Sequence, residues 1–505
     1  MAADTHTQRT IRGANWNMMR VIVQTVVSLG VTIVVARILP PEDFGLLATA
    51  MIFIGLAEII SAMGMGAAVV QRKNLDEIAI RTANTLSVLI GVALVALILL
   101  VSEPVAIFFG DERVGPVIRV LSISLFVAAL STVSRGLIMR RMDFRRLFIV
   151  DSIGHVVGYA GVVIVMAVLG YGVWSLVMGT IATTVLGSIL SFVYEPFRMT
   201  FTPEKSRLKE LLSFGGGVSI SSVVGYFARN VDFFVIGKFL DQIMLGLYSR
   251  AYHLVNLPLA KIAGTLTNVM FSSYSEVQDD KERLRQVYFR VVSVTALMAF
   301  PVFVGMLVSG QYIITGMYGD NWIGAVPAFQ VLCLMGLIRL VLILTGPVIQ
   351  AMGHVHAEMR RQIVFFVLLT AACIVAVPEG IAAVGFAVVG ATLWLYLSMA
   401  NLAIKLLDSN WIEFIKVQLP GYLLAAFVGL VDAAVLYLLE GKIASSELML
   451  LIMLVTSGLA YLIGFFGLPA SMMGDVPGWV LGKYGHMLPA GLRGWALKRV
   501  ATGVE

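Results

Sequence analysis

A chain of 505 residues with 59% apolar and only 13% charged side chains, and a mean hydropathy of +0.92, lies well outside the range of soluble globular proteins. It reads as an all-α, multi-pass membrane protein, because apolar stretches follow one another from residue 14 to residue 468 and leave no room for a large soluble domain. The net charge of +6 is accounted for by membrane topology and implies no nucleic-acid partner.

The stretch MAADTHTQRTIRGANWN is basic, but the apolar run after it ends in RILPPED without a small-residue cleavage site, which is the pattern of a retained first span. Fourteen spans are expected. The first six lie at 14–38, 45–69, 85–102, 117–138, 148–169 and 172–193. Six more lie at 215–238, 246–271, 287–308, 328–350, 362–377 and 382–406, and the last two at 419–439 and 447–468. Between the sixth and seventh, PEKSRLKELL (203–212) reads as a helix along the headgroups, with leucines at 208, 211 and 212. The tail, with Trp479, Trp495, Lys498 and Arg499, reads as interfacial too. Pro258, Pro301 and Pro347 interrupt spans and GGG (215–217) opens the seventh, as hinges or as static bends. Cys333 and Cys373 fall within spans, so no disulfide framework is indicated.

Charge checks the count. With the N-terminus inside, the inner side receives QRKNLDE, MRRMDFRR, RMTFTPEKSRLKE, QDDKERLRQ, HAEMRR, the segment Lys405–Lys416 and both termini, which together hold most of the 36 Lys and Arg residues. The outer side receives short segments such as PPED, FFGDER, GYG and MYGDNW with few basic residues, as the positive-inside rule requires. Both termini are therefore expected on the cytoplasmic side.

Internal repeats organise these spans. ARILPPEDFGLLATA (36–50) aligns without a gap to GKFLDQIMLGLYSRA (237–251), matching Gly45 to Gly246. FFGDER (108–113) matches MYGDNW (317–322), and GYGVWSLVMG (170–179) resembles IAAVGFAVVG (381–390). The expected organisation is a first six-helix bundle over 1–200, a linker helix over 201–212, a second bundle over 213–407, two further spans over 408–470 and a tail over 471–505. An even number of spans per copy makes the bundles parallel repeats, and transporters of that build hold cargo where the two copies meet.

RNVDFFVIGKFLDQIMLGLYSRAYHL, followed by YSEVQDD, is similar to the start of the second bundle in Wzx-type polysaccharide flippases. These form a branch of the exporter superfamily of multidrug, oligosaccharidyl-lipid and polysaccharide transporters (MOP), and ARILPPEDFGLLA looks like that family's first hairpin. The resemblance implies a V-shaped, two-lobed fold that turns an undecaprenyl-diphosphate-linked oligosaccharide from the inner to the outer leaflet for exopolysaccharide, capsule or lipopolysaccharide synthesis. A polysaccharide polymerase is a possible partner, and neither an enzymatic activity nor a cofactor is expected.

Ionisable groups inside spans are costly and face a bundle interior or an aqueous cavity. Tyr226, Arg229 and Asp232 share a face of span seven with Ser222, and Arg250, Lys261 and Asn268 share a line on span eight. Span ten adds Arg339, span two Glu58, and span one Arg20. The five cations Arg20, Arg229, Arg250, Lys261 and Arg339 outnumber the two carboxylates Glu58 and Asp232, and a diphosphate or acidic sugar would supply the missing anions. The plainer readings are an i,i+3 ion pair between Arg229 and Asp232 that fixes helix packing, and headgroup-directed side chains at Arg20 and Arg250. Glu58 is the candidate for proton or sodium coupling. Asp151, His155 and Tyr159, at i, i+4 and i+8, read as a satisfied polar ladder or a proton relay.

No Walker motif, zinc spacing or nucleophile elbow is present. A membrane glycosyltransferase or O-antigen ligase would carry a long outer loop with catalytic groups, whereas the longest outer segments here, near 310–326 and 103–116, are short. Multidrug extruders of the superfamily tend to carry an acidic residue on span one, which this chain lacks, and lipid II flippases concentrate arginines in the first bundle, where spans one and two hold only Arg20 well inside.

Overall fold

The computed structural model describes residues 2–62, 76–197, 225–276 and 280–468 together with Val69 and Val223; the side chains of 2–11, 14, 62, 261–273, 275 and 276 are outside that description. The expected linker helix at 203–212, the GGG stretch, Ser222 and the tail from 471 lie outside the described residues.

Every described element is a helix or a turn. In chain order the helices are α1 (Ala2–Ala36), α2 (Pro41–Ala62), α3 (Glu77–Phe109), α4 (Val114–Arg140), α5 (Phe144–Val168), α6 (Val173–Tyr194), α7 (225–239) and α8 (Gln242–Glu276). There follow α9 (Lys281–Val308), the short α10 (Gly310–Tyr318), α11 (Val326–Ala351), α12 (Val355–Ala376), α13 (Ile381–Leu406), the short α14 (Trp411–Lys416), α15 (Leu419–Leu439) and α16 (Ser446–Gly467). Among the described residues twelve helices are long and apolar enough to cross a membrane, and each coincides with an expected span. The seventh and eighth expected spans fall on α7 and α8, which are described only in part.

Helices begin where polar residues can cap them. Asp76, Asp143, Asp280, Asn410 and Ser445 each accept a hydrogen bond from the backbone N–H three residues on, satisfying a donor that the first turn leaves free. The repeat partners FFGDER and MYGDNW share a device at the other end: Gly110 (φ 71°) and Gly319 (φ 95°) take a backbone conformation that side-chain-bearing residues avoid, and the chain turns there. Pro258, Pro301 and Pro347 all lie inside helices that continue past them. One expected connector differs: 310–326 folds into α10 and a 3₁₀ turn (Asp320–Ala325), because Tyr318 and Trp322 bury their rings there, 5.4 Å apart.

Contacts divide the chain into two compact units, 1–249 and 250–505, with the division inside α8. The core of the first unit is aliphatic, with Leu46, Ile54, Leu94, Ile98, Leu121 and Val177 drawn from α2, α3, α4 and α6. That of the second is aromatic-rich, with Tyr288, Phe289 and Phe300 of α9 packed with Leu344 of α11, Met399 of α13 and Phe414 of α14. Large apolar side chains point outward on both, such as Leu100 (76% exposed), Ile107 (74%) and Val375 (79%), and this is the surface a bilayer covers. The chain is a multi-pass membrane protein.

Within the first unit the aligned repeat stretches meet each other. A Cβ on Gly45 of α2 would stand 1.8 Å from the Gln242 carbonyl oxygen of α8, and a Cβ on Gly246 would stand 1.9 Å from the Pro41 carbonyl oxygen of α2. The two helix starts thus touch backbone to backbone at equivalent positions, and only glycine allows it. Thr49 Oγ1 donates to Gln242 Oε1 at 2.9 Å beside the crossing, with both residues buried.

Candidate functional site

A polar chamber lies in the first unit, a cavity of about 740 Å³ walled by α2, α4, α5 and α6. Its position follows from a local departure in α5. Residues Gly154–Gly161 form a π-helix, in which Gly154 and Gly158 bring α5 against α6: a Cβ on Gly158 would stand 2.7 Å from the Thr183 backbone nitrogen. The close approach places Asp151 and His155 on the cavity wall with Thr183, Thr184 and Ser188.

Asp151 organises the charges. Its Oδ2 accepts from Arg20 Nη1 at 2.9 Å and its Oδ1 from Arg135 Nη1 at 2.8 Å, while Arg20 Nη2 donates to Asn17 Oδ1 at 2.8 Å. One carboxylate thus holds two guanidiniums, which leaves a net positive charge on the triad. Asp151 is largely covered (10% exposed), but Arg135 keeps 37% of its side chain open and lines the cavity. Opposite charge enters from Glu58, exposed on the same wall and without an ion pair among the described residues. Seven hydroxyl-bearing residues line the chamber; of these Ser131 and Ser188 bond each other at 2.9 Å. An arginine among hydroxyls suits an oxygen-rich anionic or polyhydroxylated ligand.

Several expectations change here. Arg20 does not reach toward headgroups: it turns inward to Asp151, because a carboxylate on α5 offers its guanidinium an anionic partner that it shares with Arg135. The polar ladder on α5 is not satisfied throughout. Asp151 is doubly bonded, but His155 Nδ1 is buried with no hydrogen-bond partner among the described residues, and the π-helix shifts the i, i+4 register that the ladder assumes.

Arg229 and Asp232 do not pair. Asp232 is buried and accepts from the hydroxyl of Tyr248 on α8 at 2.7 Å, whereas Arg229 is exposed on α7 and forms no ion pair among the described residues. The shared face therefore splits: α8 covers the Asp232 turn and leaves the Arg229 turn open. Arg229 lies beside Gly225 and within electrostatic reach of Tyr226, whose hydroxyl donates to the Met51 and Ile52 carbonyls of α2, and Glu58 is in reach of the same tyrosine.

In the second unit Arg339 of α11 donates to the Tyr252 hydroxyl of α8 at 2.8 Å, and half-buried Arg250 lies within electrostatic reach of His253 and Tyr318. Lys261 lies on the helical path of α8, but its side chain is outside the described residues. Arg135 is the residue that sequence reasoning passed over. It falls inside the expected span 117–138, so the rule that singled out Arg20 applied to it as well.

The family described as "Polysaccharide biosynthesis protein" matches residues 34–327, more than half of the chain. The chain is 25% identical to the lipopolysaccharide biosynthesis protein WzxC of Escherichia coli (strain K12), over 70% of this chain and 72% of that one. It is 21% identical to the succinoglycan biosynthesis transport protein ExoT of Rhizobium meliloti (strain 1021), over 89% and 86%. The fold is shared with the lipid II flippase MurJ in its inward closed conformation: TM-score 0.71 at 16% identity, covering 89% of this chain and 98% of that one. The resemblance in RNVDFFVIGKFLDQIMLGLYSRAYHL, the all-helical membrane fold and the family match agree, and this chain belongs to the polysaccharide biosynthesis protein family.

Proposed function

We propose that the chain turns an undecaprenyl-diphosphate-linked oligosaccharide from the inner to the outer leaflet of a bacterial cytoplasmic membrane, by alternating access, for surface polysaccharide synthesis. The observation that carries this reading is the chamber of the first unit, where Arg135 stands among hydroxyls inside a membrane-spanning bundle. It is joined by relatives named for lipopolysaccharide biosynthesis and for succinoglycan biosynthesis transport. A glycan's hydroxyls match the chamber wall, and a diphosphate matches guanidinium forks.

We assign anion-binding roles to Arg229 in the first unit and to Arg250, Lys261 and Arg339 in the second. Arg20 is a positioning residue that shares Asp151 with Arg135, and Asp232 fixes α7 against α8 through Tyr248. Glu58 is the candidate for ion coupling. The termini lie inside, and a polysaccharide polymerase outside would receive the product.

Deleting the gene tests the reading. The lipid-linked intermediate should build up on the inner leaflet, and build-up on the outer leaflet would instead identify a ligase or polymerase. Single cysteines at 111 and 320 should label from outside and those at 143 and 280 from inside, in a chain lacking Cys333 and Cys373. Labelling of 111 and 320 on opposite sides would overturn the topology.

A further inference from the structure

α15 carries one carboxyl group in the middle of its apolar run, Asp432, and it is fully buried. The helix packs against α9 and α16. From α16, Ser457 Oγ donates to Asp432 Oδ2 at 2.6 Å, and Thr456 Oγ1 stands 3.4 Å from Oδ1 while also bonding the Met453 carbonyl at 3.1 Å. From α9, Gly305 leaves the space: a Cβ there would lie 3.4 Å from both Asp432 Oδ2 and Ser457 Oγ.

No cation pairs with Asp432 among the described residues. α9 has no ionisable side chain from Val291 to Val308. The other titratable groups of these helices near the site are tyrosines: Tyr461 on α16, Tyr422 and Tyr437 on α15, and Tyr312 and Tyr318 on α10, which packs against α16. The charged groups lie away from the middle of these helices: Lys281, Glu282, Arg283, Arg285 and Arg290 in the first ten residues of α9, Glu413 and Lys416 on α14, Glu440 and Lys442 after α15, and Glu447 in the first turn of α16.

Beside this carboxyl lies a second cavity, of about 260 Å³, walled by Gly305, Ser309, Val428, Ser457 and Tyr461 among others. Ser309 is 2% exposed, and its Oγ has no hydrogen-bond partner among the described residues. The cavity is large enough for a few water molecules and ends at the same Ser457 hydroxyl that bonds Asp432.

A carboxylate here is deprived of water and receives at most two hydroxyl bonds, so its charge needs one positive partner. Hard metal cations gather about six or more oxygens. The site offers four side-chain oxygens, from Asp432, Ser457 and Thr456, and the Gly305 carbonyl is engaged by the Ser309 N–H at 2.9 Å. A proton needs one oxygen.

We propose that Asp432 is a proton-carrying site of the second unit. Its carboxyl holds a proton in the packing described and releases it to water in the Ser309–Ser457 cavity, leaving a carboxylate and a hydronium ion; the reverse transfer restores the acid, and no electron moves. The two protonation states favour different packings of α15 and α16 on α9, which links the proton to the transport cycle. That link rests on the proposed export function; the proton site does not.

The test uses the purified full-length chain in lipid nanodiscs, with the infrared band of protonated carboxyl groups followed against pH. Asp432→Asn should remove one titrating component, and Ser457→Ala, which keeps the carboxyl, should move its midpoint. In cells the response of polysaccharide export to collapse of the proton gradient should fall about tenfold in Asp432→Asn at equal membrane abundance. Identical titration curves for wild type, Asp432→Asn and Ser457→Ala would overturn the proposal, as would a band that responds to sodium and not to pH. If the wild-type chain exports nothing, the export reading fails while the infrared curves still decide the proton site.

Discussion

Replacing Gly45 by alanine should loosen the α2–α8 crossing, and the size of the effect can be worked from the contact. The new Cβ would sit 1.8 Å from a backbone carbonyl oxygen that has no flexible end to swing aside. Restoring an ordinary contact separates the two helix starts by about 1.6 Å, a shift of the kind that costs about 1 to 3 kcal/mol in packed interiors. The same movement stretches the buried Thr49–Gln242 hydrogen bond, worth about 1 kcal/mol or more if a partner is left unsatisfied. Alanine's better helix propensity returns about 1 kcal/mol and offsets the hydrogen-bond loss, so the clash prevails by about 1 to 3 kcal/mol. Gly246→Ala should cost a similar amount, since its Cβ would stand 1.9 Å from the Pro41 oxygen. The double variant should cost less than the sum, because the first methyl already makes room for the second. Thermal unfolding of the purified chain in detergent, compared at one scan rate, reads all three variants. A wild-type midpoint for Gly45→Ala, or strict additivity in the double variant, would refute the reasoning.

Asp151→Ala should lower membrane abundance and thermal stability by about 2 kcal/mol, a value below that of a fully buried pair because Arg20 and Arg135 are partly open; a melt of the purified protein checks it, and Asp151→Glu should recover part of the loss. Arg339→Ala and Lys261→Ala should insert normally yet reduce surface polysaccharide about tenfold or more if each loses a charge-assisted bond to the diphosphate, and full export by well-expressed variants would leave them as packing residues. At the turn after α3, burial works against the Asp111 carboxylate, but hydrogen bonds from Arg113 and its charge outweigh burial and hold the group below its ordinary 3.8. Its contribution, under about 1 kcal/mol because Arg113 is half open, is therefore complete above that value and lost as pH falls below it. Arg113→Gln should flatten this acid limb in a pH series of melting curves.

The spans were readable because hydropathy and charge each mark them independently, and the caps at Asp76, Asp143 and Asp280 sit in the polar breaks that ended the apolar runs. The candidate site was readable only in part. Arg20 and Asp151 are 131 residues apart, and nothing in either neighbourhood announces the other. Asp232 stands one helical turn from Arg229, so sequence spacing favoured a pair; Tyr248, 16 residues on, reaches the carboxylate because α8 folds back over α7. Periodicity also misleads on α5, where a helical wheel drawn at 100° per residue runs out of phase after Ile153.

That π segment has a further bearing on how α5 can be edited. It fits one more residue into its length than an α-helix of the same hydrogen-bonded span, so the halves Phe144–Ile153 and Val162–Val168 are set by an insertion-like offset. Removing a single outward-pointing residue such as Val157, which is 55% exposed, gives the chain the means to close a regular α-helix. The span would keep nearly its full height across the bilayer, yet its two halves would turn relative to each other, swinging Asp151 away from one of its two arginines. A one-residue deletion would here act as a rotation, and hydropathy plots of the two sequences would look alike.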